Sequence, residues 1–353
     1  MDASNTMAMS LTSDNIHLSE PTNSPAPEKF AVDCNRSTGR IQEKIAVNCN
    51  PSIAINCTDP EVLRFIEAAT AANTRRAYES DLRHFLAWGG AVPATPQTVA
   101  CYLANHASVL AIATLARHII AIRRVHIAQG HSDPTRSELV RRTFQGIRRL
   151  CRRPQRRAAA ITPADLAAIC SLLGDNPKDV RDRAVLLVGF GGAFRRSELC
   201  AIDRGDVDIG ASGMTITIRR SKTDQEGQGR KVAIPRGRGS LCPVAALERW
   251  LAVSGITEGA VFRPVTRAGR VGPGRISPEA IATIVKQRIR AIGRDPSSYS
   301  GHSLRAGFVT AAALAGLPLW KIKMQTGHAS DAMLGRYIRD GGLFGEAASD
   351  TIL

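Results

Sequence analysis

Gly301-His302-Ser303-Leu304-Arg305, followed by Thr326-Gly327-His328 and then by Tyr337, is the stretch around which the chain is organised. Two histidines, an arginine and a tyrosine fall within 36 residues, in a chain that has only eight histidines and four tyrosines. His302 and Arg305 are three apart, which on a helix aims both side chains from one face. His328 follows a glycine and is expected at a loop end. Tyr337 lies within Ser330–Ile338, where Ser330 is suited to cap a helix and Met333 falls four before the tyrosine on the same face. That arrangement presents a phenol to a cluster of cationic donors.

Outward from this stretch, the bulk numbers narrow the class. At 353 residues the chain predicts two domains and a tail. A net charge of +16 and a pI near 10.1 predict a polyanionic partner, because each Lys or Arg set against a phosphate releases condensed counterions. The longest strongly apolar run, Ala184 to Phe194, is about half of the ~20 residues a membrane span needs, so a soluble chain with no membrane partner is expected. The first residues lack the basic start, apolar segment and cleavage site of a signal peptide. Cysteines 34, 49, 57, 101, 151, 170, 200 and 242 never form C-x-x-C, which predicts reduced thiols in a cytoplasmic protein rather than a metal centre or a disulfide framework.

Residues 1–58 are rich in Ser, Asn, Thr and Pro and bury too little to offset their ordering entropy, so a mostly disordered tail is expected. Helical patterns begin with Asp59-Pro60. Thr74 is the expected cap of the next helix, through Tyr78, Leu82 and Phe85, and Thr95-Pro96 opens a third through Val99, Tyr102 and Leu103. Ile112, Leu115, Ile119 and Ile122 mark a fourth, and Leu139, Thr143, Phe144 and Ile147 a fifth. Residues 59–150 therefore read as a helical bundle, with Tyr78 and Tyr102 in its core. The polar face of its second half and the linker beyond it carry Arg117, Arg123, Arg124, Arg136, Arg141, Arg142, Arg148, Arg149, Arg152, Arg153, Arg156 and Arg157 against only Asp133 and Glu138. The local imbalance is too one-sided for internal pairing and predicts bidentate phosphate contact with double-stranded DNA. Residues 151–161 read as a basic linker able to follow a phosphate backbone.

The second domain, 162–353, opens with Thr162-Pro163-Ala164-Asp165, a capping pattern with proline in the first turn. A buried helix through Ala184–Phe190 leads into Gly191-Gly192-Ala193-Phe194-Arg195-Arg196-Ser197-Glu198-Leu199. Strand patterns follow at Asp206–Ile209, Met214–Arg219 and Arg230–Ile234, the last two flanking a loop with Lys222, and helices at Pro243–Val253 and Pro278–Ile292. The fold class expected is mainly α with a small antiparallel sheet, an α+β domain preceded by the bundle.

These residues, taken together, resemble the tyrosine recombinases, or phage integrases, particularly the Cre-like and Xer-like members. The family pattern is an arginine in R-x-[S/A/G]-E-L, a lysine in a β-hairpin, H-x-x-R, a His or Trp after glycine, and a tyrosine about nine residues on. Arg195, Lys222, His302, Arg305, His328 and Tyr337 occupy those positions in that order over roughly residues 160–340. Phe194, where the family often has Leu or Met, is a mild departure. The bundle resembles the family's core-binding domain more weakly.

Physical chemistry assigns roles independently of the family. Attack on a phosphodiester gathers charge on the equatorial oxygens. Arg195 and Arg305, always protonated and forked, are suited to clamp them, with His302 and His328 as further donors. Tyr337 would attack the phosphorus and become a 3′-phosphotyrosine, as the resemblance implies; the covalent link retains the ester energy, so resealing needs no ATP, and no metal is expected either. Lys222 is the candidate general acid for the leaving 5′-oxygen, and His302 is a candidate base for the phenol. Glu198 is expected to orient its neighbours. Only the spacing to Glu198 selects Arg195 over Arg196; Lys231 competes with Lys222, and Tyr299 is either core or a substrate contact.

The expected function is site-specific DNA recombination without cofactor. Its alternatives are relaxation of supercoils by a type IB topoisomerase and DNA binding with a vestigial site. The resemblance implies a monomer in solution that forms a homotetramer at synapsis, associated with the nucleoid when on DNA, with tail 341–353 docking on a neighbour.

Overall fold

A computed structural model of the chain describes residues 59–151, 158–219, 229–237, 239–328, 330 and 334–335. The expected tail 1–58, most of the basic linker, the loop with Lys222, and Tyr337 with the segment beyond it lie outside the described residues. The chain divides into two compact units, Met1–Arg152 and Arg153–Leu353.

In the first unit, α1 (Pro60–Ala68) starts where Asp59 Oδ1 accepts from the backbone N–H of Glu61 at 2.8 Å, with proline in the first turn. Helix α2 (Ala72–Ala87) begins at N-cap Ala71, not at Thr74, and has no side-chain cap. α3 (Pro96–His106) is capped by Thr95, whose Oγ1 accepts from Thr98 N. α4 (Ile112–Ala128) and α5 (Glu138–Leu150) complete the bundle among the described residues. Leu82, Phe85, Val99, Tyr102, Leu103, Leu115, Ile122, Val140 and Ile147 form its core. Tyr102 is fully buried, as expected, but Tyr78 is only half-buried, its ring facing the Arg124 guanidinium at 5.3 Å.

A directional chain of hydrogen bonds threads this core. His118 Nε2 lies 3.0 Å from Asp81 Oδ1, so its proton faces the carboxylate and its Nδ1 accepts from the Tyr102 hydroxyl at 2.5 Å; that oxygen in turn accepts from His84 Nδ1 at 2.8 Å. Burial, and then the Asp81 charge, raise the Tyr102 phenol above its ordinary range, so Tyr102 holds its proton.

The expectation that the arginines find no internal partners is corrected here. Arg117 forks onto Asp81 (Nε–Oδ2 2.6 Å, Nη2–Oδ1 2.9 Å), an acid 36 residues away that local counting left out. Arg123 and Arg136 reach Asp133 at 3.3 and 3.6 Å, and Arg141 and Arg142 reach Glu138 at 2.5 and 3.9 Å. Arg148 and Arg149 are exposed in the last turn of α5. Arg152, Arg153, Arg156 and Arg157 lie outside the described residues.

In the second unit, Thr162 and Asp165 form a reciprocal capping box, each side chain accepting from the other's N–H at 3.0 Å, that starts α6 (Pro163–Ser171). α7 (Pro177–Gly191) is the central helix, buried from Ala184 to Gly189, and leads by a tight turn to α8 (Arg196–Ala201). A three-stranded antiparallel sheet follows, β1 (Val207–Ile209), β2 (Gly213–Ile218) and β3 (Arg230–Pro235), in that order, with Ile216 opposite Val232 and Ile218 opposite Arg230. Met214, Ile216, Ile218, Val232 and Ile234 alternate inward to the main core. α9 (Pro243–Ser254) packs on α7 through Val244, Leu247 and Trp250, whose indole N–H donates to Val261 O at 2.8 Å. α10 (Pro278–Ala291), α11 (Ser303–Leu314) and α12 (Leu319–Thr326) follow. Gly307 of α11 lies so close to the chain at Ile161 that a Cβ would overlap its carbonyl oxygen. Tyr299 is buried in the main core, which decides between its two expected places. Together the units are mainly helical with a small antiparallel sheet. No helix among the described residues is long and apolar enough to cross a membrane.

Candidate active site

The site assembles on the last turn of α12. Gly327 ends that helix in the left-handed region (φ 63°), where a Cβ would also stand 2.8 Å from Arg230 Nε, so glycine is required twice over. Helix C-termini leave carbonyls without intrahelical donors. Here three successive ones are each taken by a different arginine. Gln325 O accepts from Arg230 Nη1 at 2.8 Å, Thr326 O from Arg305 Nη1 at 2.5 Å, and Gly327 O from Arg195 Nη2 at 3.3 Å. The negative end of the helix dipole thus gathers three guanidinium groups from β3, α11 and the start of α8.

Arg195 is the N-cap of α8. Glu198, three residues on and buried, accepts from the Arg195 backbone N–H at 3.0 Å and from its Nη1 at 2.5 Å, while its second interaction with a cation is Arg230 Nη2 at 3.2 Å. One carboxylate thereby fixes two guanidinium groups. The geometry also separates the two adjacent arginines: Arg195 turns to Glu198 and α12, whereas Arg196 packs its alkyl chain against Gly301. The turn before Arg195 places Ala193 at φ 49°, an uncommon conformation for a residue with a Cβ, and the Ala193 carbonyl accepts from Arg305 Nη1 at 2.9 Å. Arg305 is buried on the first turn of α11. His302, at the N-cap of the same helix, is exposed, so the two residues differ in burial although only three apart.

His328 follows Gly327 and is buried. Its Nδ1 lies 2.7 Å from Thr326 Oγ1, and that hydroxyl gives its own proton to Ile322 O at 2.7 Å. The neutral ring therefore carries its proton on Nδ1. Burial first, then the charges of Arg305, Arg195 and Arg230, hold the imidazole down to about 4, against an ordinary value near 6.5. Among the described residues, three guanidinium groups against one carboxylate leave a surplus of two positive charges around a neutral ring, a field complementary to a phosphodiester gaining charge under attack.

Lys222 and Tyr337 lie outside the described residues. Leu334, three before Tyr337, is helical and fully buried with Val309, Ala312 and Ile322. Arg230 was not among the residues the sequence singled out. Its signal was available: strand alternation puts Arg230 on the inward face with Val232 and Ile234, while its competitor-bearing neighbour Lys231 faces out with Ala233.

Residues 159–341 match the phage integrase family. The chain is 36% identical over 295 residues to an integrase/recombinase, a XerD homologue of Selenomonas ruminantium, covering 81% of this chain and 86% of that protein. It is 29% identical over 256 residues to the tyrosine recombinase XerC of Xylella fastidiosa strain 9a5c, covering 69% and 78%. Among solved structures, a lambda integrase fragment bound as a dimer to a core site shares the fold with a TM-score of 0.56 at 18% identity, over 79% of this chain and 92% of that one. XerH bound to its difH substrate shares it at 0.53 and 14%, over 78% and 79%. With half of the chain matched to the family and a relative above 30% identity aligned along most of both lengths, the chain belongs to the phage integrase family, the tyrosine recombinases.

Proposed function

We propose that this chain recombines DNA at specific sites by forming and resolving a covalent 3′-phosphotyrosine, with Arg195, Arg305 and His328 around the scissile phosphate. The observation that carries the reading is the convergence of three guanidinium groups and a histidine on one helix end, from segments as far apart as 132 residues. Such a cluster is built to receive an anion. Tyr337 Oη would attack phosphorus as the P–O5′ bond breaks; the phenol proton goes to His302, and Lys222 supplies a proton to the leaving 5′-oxygen. Reversal by a 5′-hydroxyl from another strand completes exchange with no net change in ester bonds, so the step needs no nucleotide. The curated relatives named above are recombinases, which favours strand exchange over relaxation of supercoils.

In the same reading, residues 59–150 are a core-binding domain and 162–353 the catalytic domain, both contacting duplex DNA and joined by the linker 151–161. The phosphate contacts fall to Arg123, Arg124, Arg141, Arg142, Arg148, Arg149, Arg152, Arg153, Arg156 and Arg157. Arg117 is withdrawn from that set because Asp81 holds its fork. Four protomers would assemble at synapsis, with tail 341–353 docking on a neighbour, and the protein would act in the cytoplasm on the nucleoid.

The test is a covalent trap. The full chain is incubated in EDTA with nicked duplexes carrying a randomised central region, and DNA bound through denaturant is recovered and sequenced. An adduct that survives EDTA, enriches one sequence and disappears in Tyr337→Phe is expected. Failure to form it, or a requirement for magnesium, overturns the reading.

A further inference from the structure

Arg230 stands beside the expected residues without being one of them, and its connections are unlike those of a solvated strand arginine. Its side chain is 19% exposed. The planar fork points two ways, Nη1 to the Gln325 carbonyl of α12 and Nη2 to Glu198. Its Nε and Cδ fill the space that a Cβ at Gly327 would occupy, and its Nε–H is buried with no acceptor among the described residues. Burying a cation this far costs stability unless its partners are fixed. Here they are the two parts that set the rest of the site: Glu198, which grips Arg195 through its backbone N–H and its guanidinium, and the turn that delivers His328.

We propose that Arg230 is a positioning residue for strand cleavage, clamping Glu198 to the last turn of α12 so that the Arg195 fork and the His328 ring hold their places as DNA enters. The proposal rests on the cleavage reading above. Without Arg230, one of the three donors to Glu198 is lost and the carboxylate can turn, taking the Arg195 guanidinium with it. Gln325 O loses its donor, and the three-armrest arrangement of Gln325, Thr326 and Gly327 keeps only two arms. Lysine preserves the charge but cannot span both partners, because its single ammonium lacks the fork. Arg230 sits at the mouth of the β2–β3 hairpin, opposite Ile218, so its placement is set by the end of the ladder and not by the loop beyond it.

The test uses the full-length chain with Arg230→Gln and Arg230→Lys, on the duplex recovered by the trap. Binding and single-turnover adduct formation at saturating DNA are measured separately, and the His328 ring is titrated by NMR in the free protein. Expected are a cleavage rate about 10²-fold lower in Arg230→Gln, the scale for one lost preorganised donor, partial recovery in Arg230→Lys, and affinity within about threefold of wild type, since the duplex is held chiefly by its phosphate contacts. The ring should titrate higher in Arg230→Gln, because one of its three cations is gone. A wild-type rate in Arg230→Gln, a loss confined to affinity, or an unmoved His328 overturns the proposal. If Arg230→Gln does not fold, Arg230→Lys decides: slowed cleavage at an unchanged melting temperature supports the role, and a wild-type rate overturns it. A wild-type chain that forms no adduct overturns the cleavage reading and this role together, whereas cleavage by wild type beside an unimpaired variant overturns only the role of Arg230.

Discussion

Acidification should destabilise the catalytic unit through His328. The ring titrates near 4 in the fold and near 6.5 in an unfolded chain. As pH falls below about 6.5 the unfolded state takes up a proton that the folded state refuses, so stability drops through that window and the loss levels off below about 4. The slope over the window approaches 1.4 kcal/mol per pH unit, and the whole interval amounts to about 3 kcal/mol. At this size of folded unit that is about 6–12 °C in Tm. The buried ring sits among Arg305, Arg195 and Arg230, so solvent screening does little to reduce the figure.

Carboxylates elsewhere also lose stability in acid, so the contribution is isolated by difference. His328→Asn keeps an N–H where Nδ1 donates to Thr326 and cannot titrate. Urea unfolding of both proteins between pH 4 and 7.5, in a Trp88→Phe background, would follow the catalytic unit through Trp250 and Trp320. The difference between the two proteins should shrink by about 3 kcal/mol from pH 7 to pH 4. A difference that is flat across this range, or a ring that titrates near 6.5 by NMR, would refute the claim that three guanidinium groups crowd a buried neutral imidazole. Adding cleavable-site DNA should raise the ring's titration point, because a phosphate offsets the surrounding cations.

Further outcomes follow from the packing and the ion pairs. Gly307→Ala should destabilise the catalytic unit by about 1–3 kcal/mol in urea unfolding, since the new methyl meets the Ile161 carbonyl and the backbone must shift. Arg148→Gln should reduce the log–log salt slope of DNA binding by about 0.9, as one lost phosphate contact would. Arg117→Gln should leave that slope alone and instead lower the stability of the first unit by about 1–3 kcal/mol, because the buried Asp81 loses its forked partner. Phe in place of Tyr102 should cost about 1–2 kcal/mol in the same unit, because His118 and His84 both lose the hydroxyl that joins them.

What the sequence disclosed depended on how far apart the causes lie along the chain. Helix starts at Asp59, Thr95 and Thr162 were legible because cap, proline and first turn are neighbours. Thr74 misled because Ala72 and Asn73 already belong to the helix, which starts from Ala71 without any side-chain cap. Arg117 misled for the opposite reason: its partner Asp81 sits on another helix, and composition over a local window cannot contain it. Tyr78 has the spacing of a core residue, yet Arg124 faces it at the bundle's edge.

The site divides along the same line. Residue types and order carried the expectation for Arg195, Arg305 and His328, but not the reason they meet. That reason is three consecutive carbonyls of α12, a property of backbone geometry that any residue at Gln325 or Thr326 would supply. Gly327 is the exception, because its left-handed φ both ends the helix and leaves room for Arg230. A carboxylate in an anion site looks contrary on charge alone, since it cancels one of three cations. Glu198 fixes two guanidinium groups before substrate arrives, and the surplus of two positive charges that remains among the described residues matches the two negative charges that a phosphodiester carries once attack has added one to its own. The ordering cost is met on folding, which leaves less reorganisation for the reacting complex.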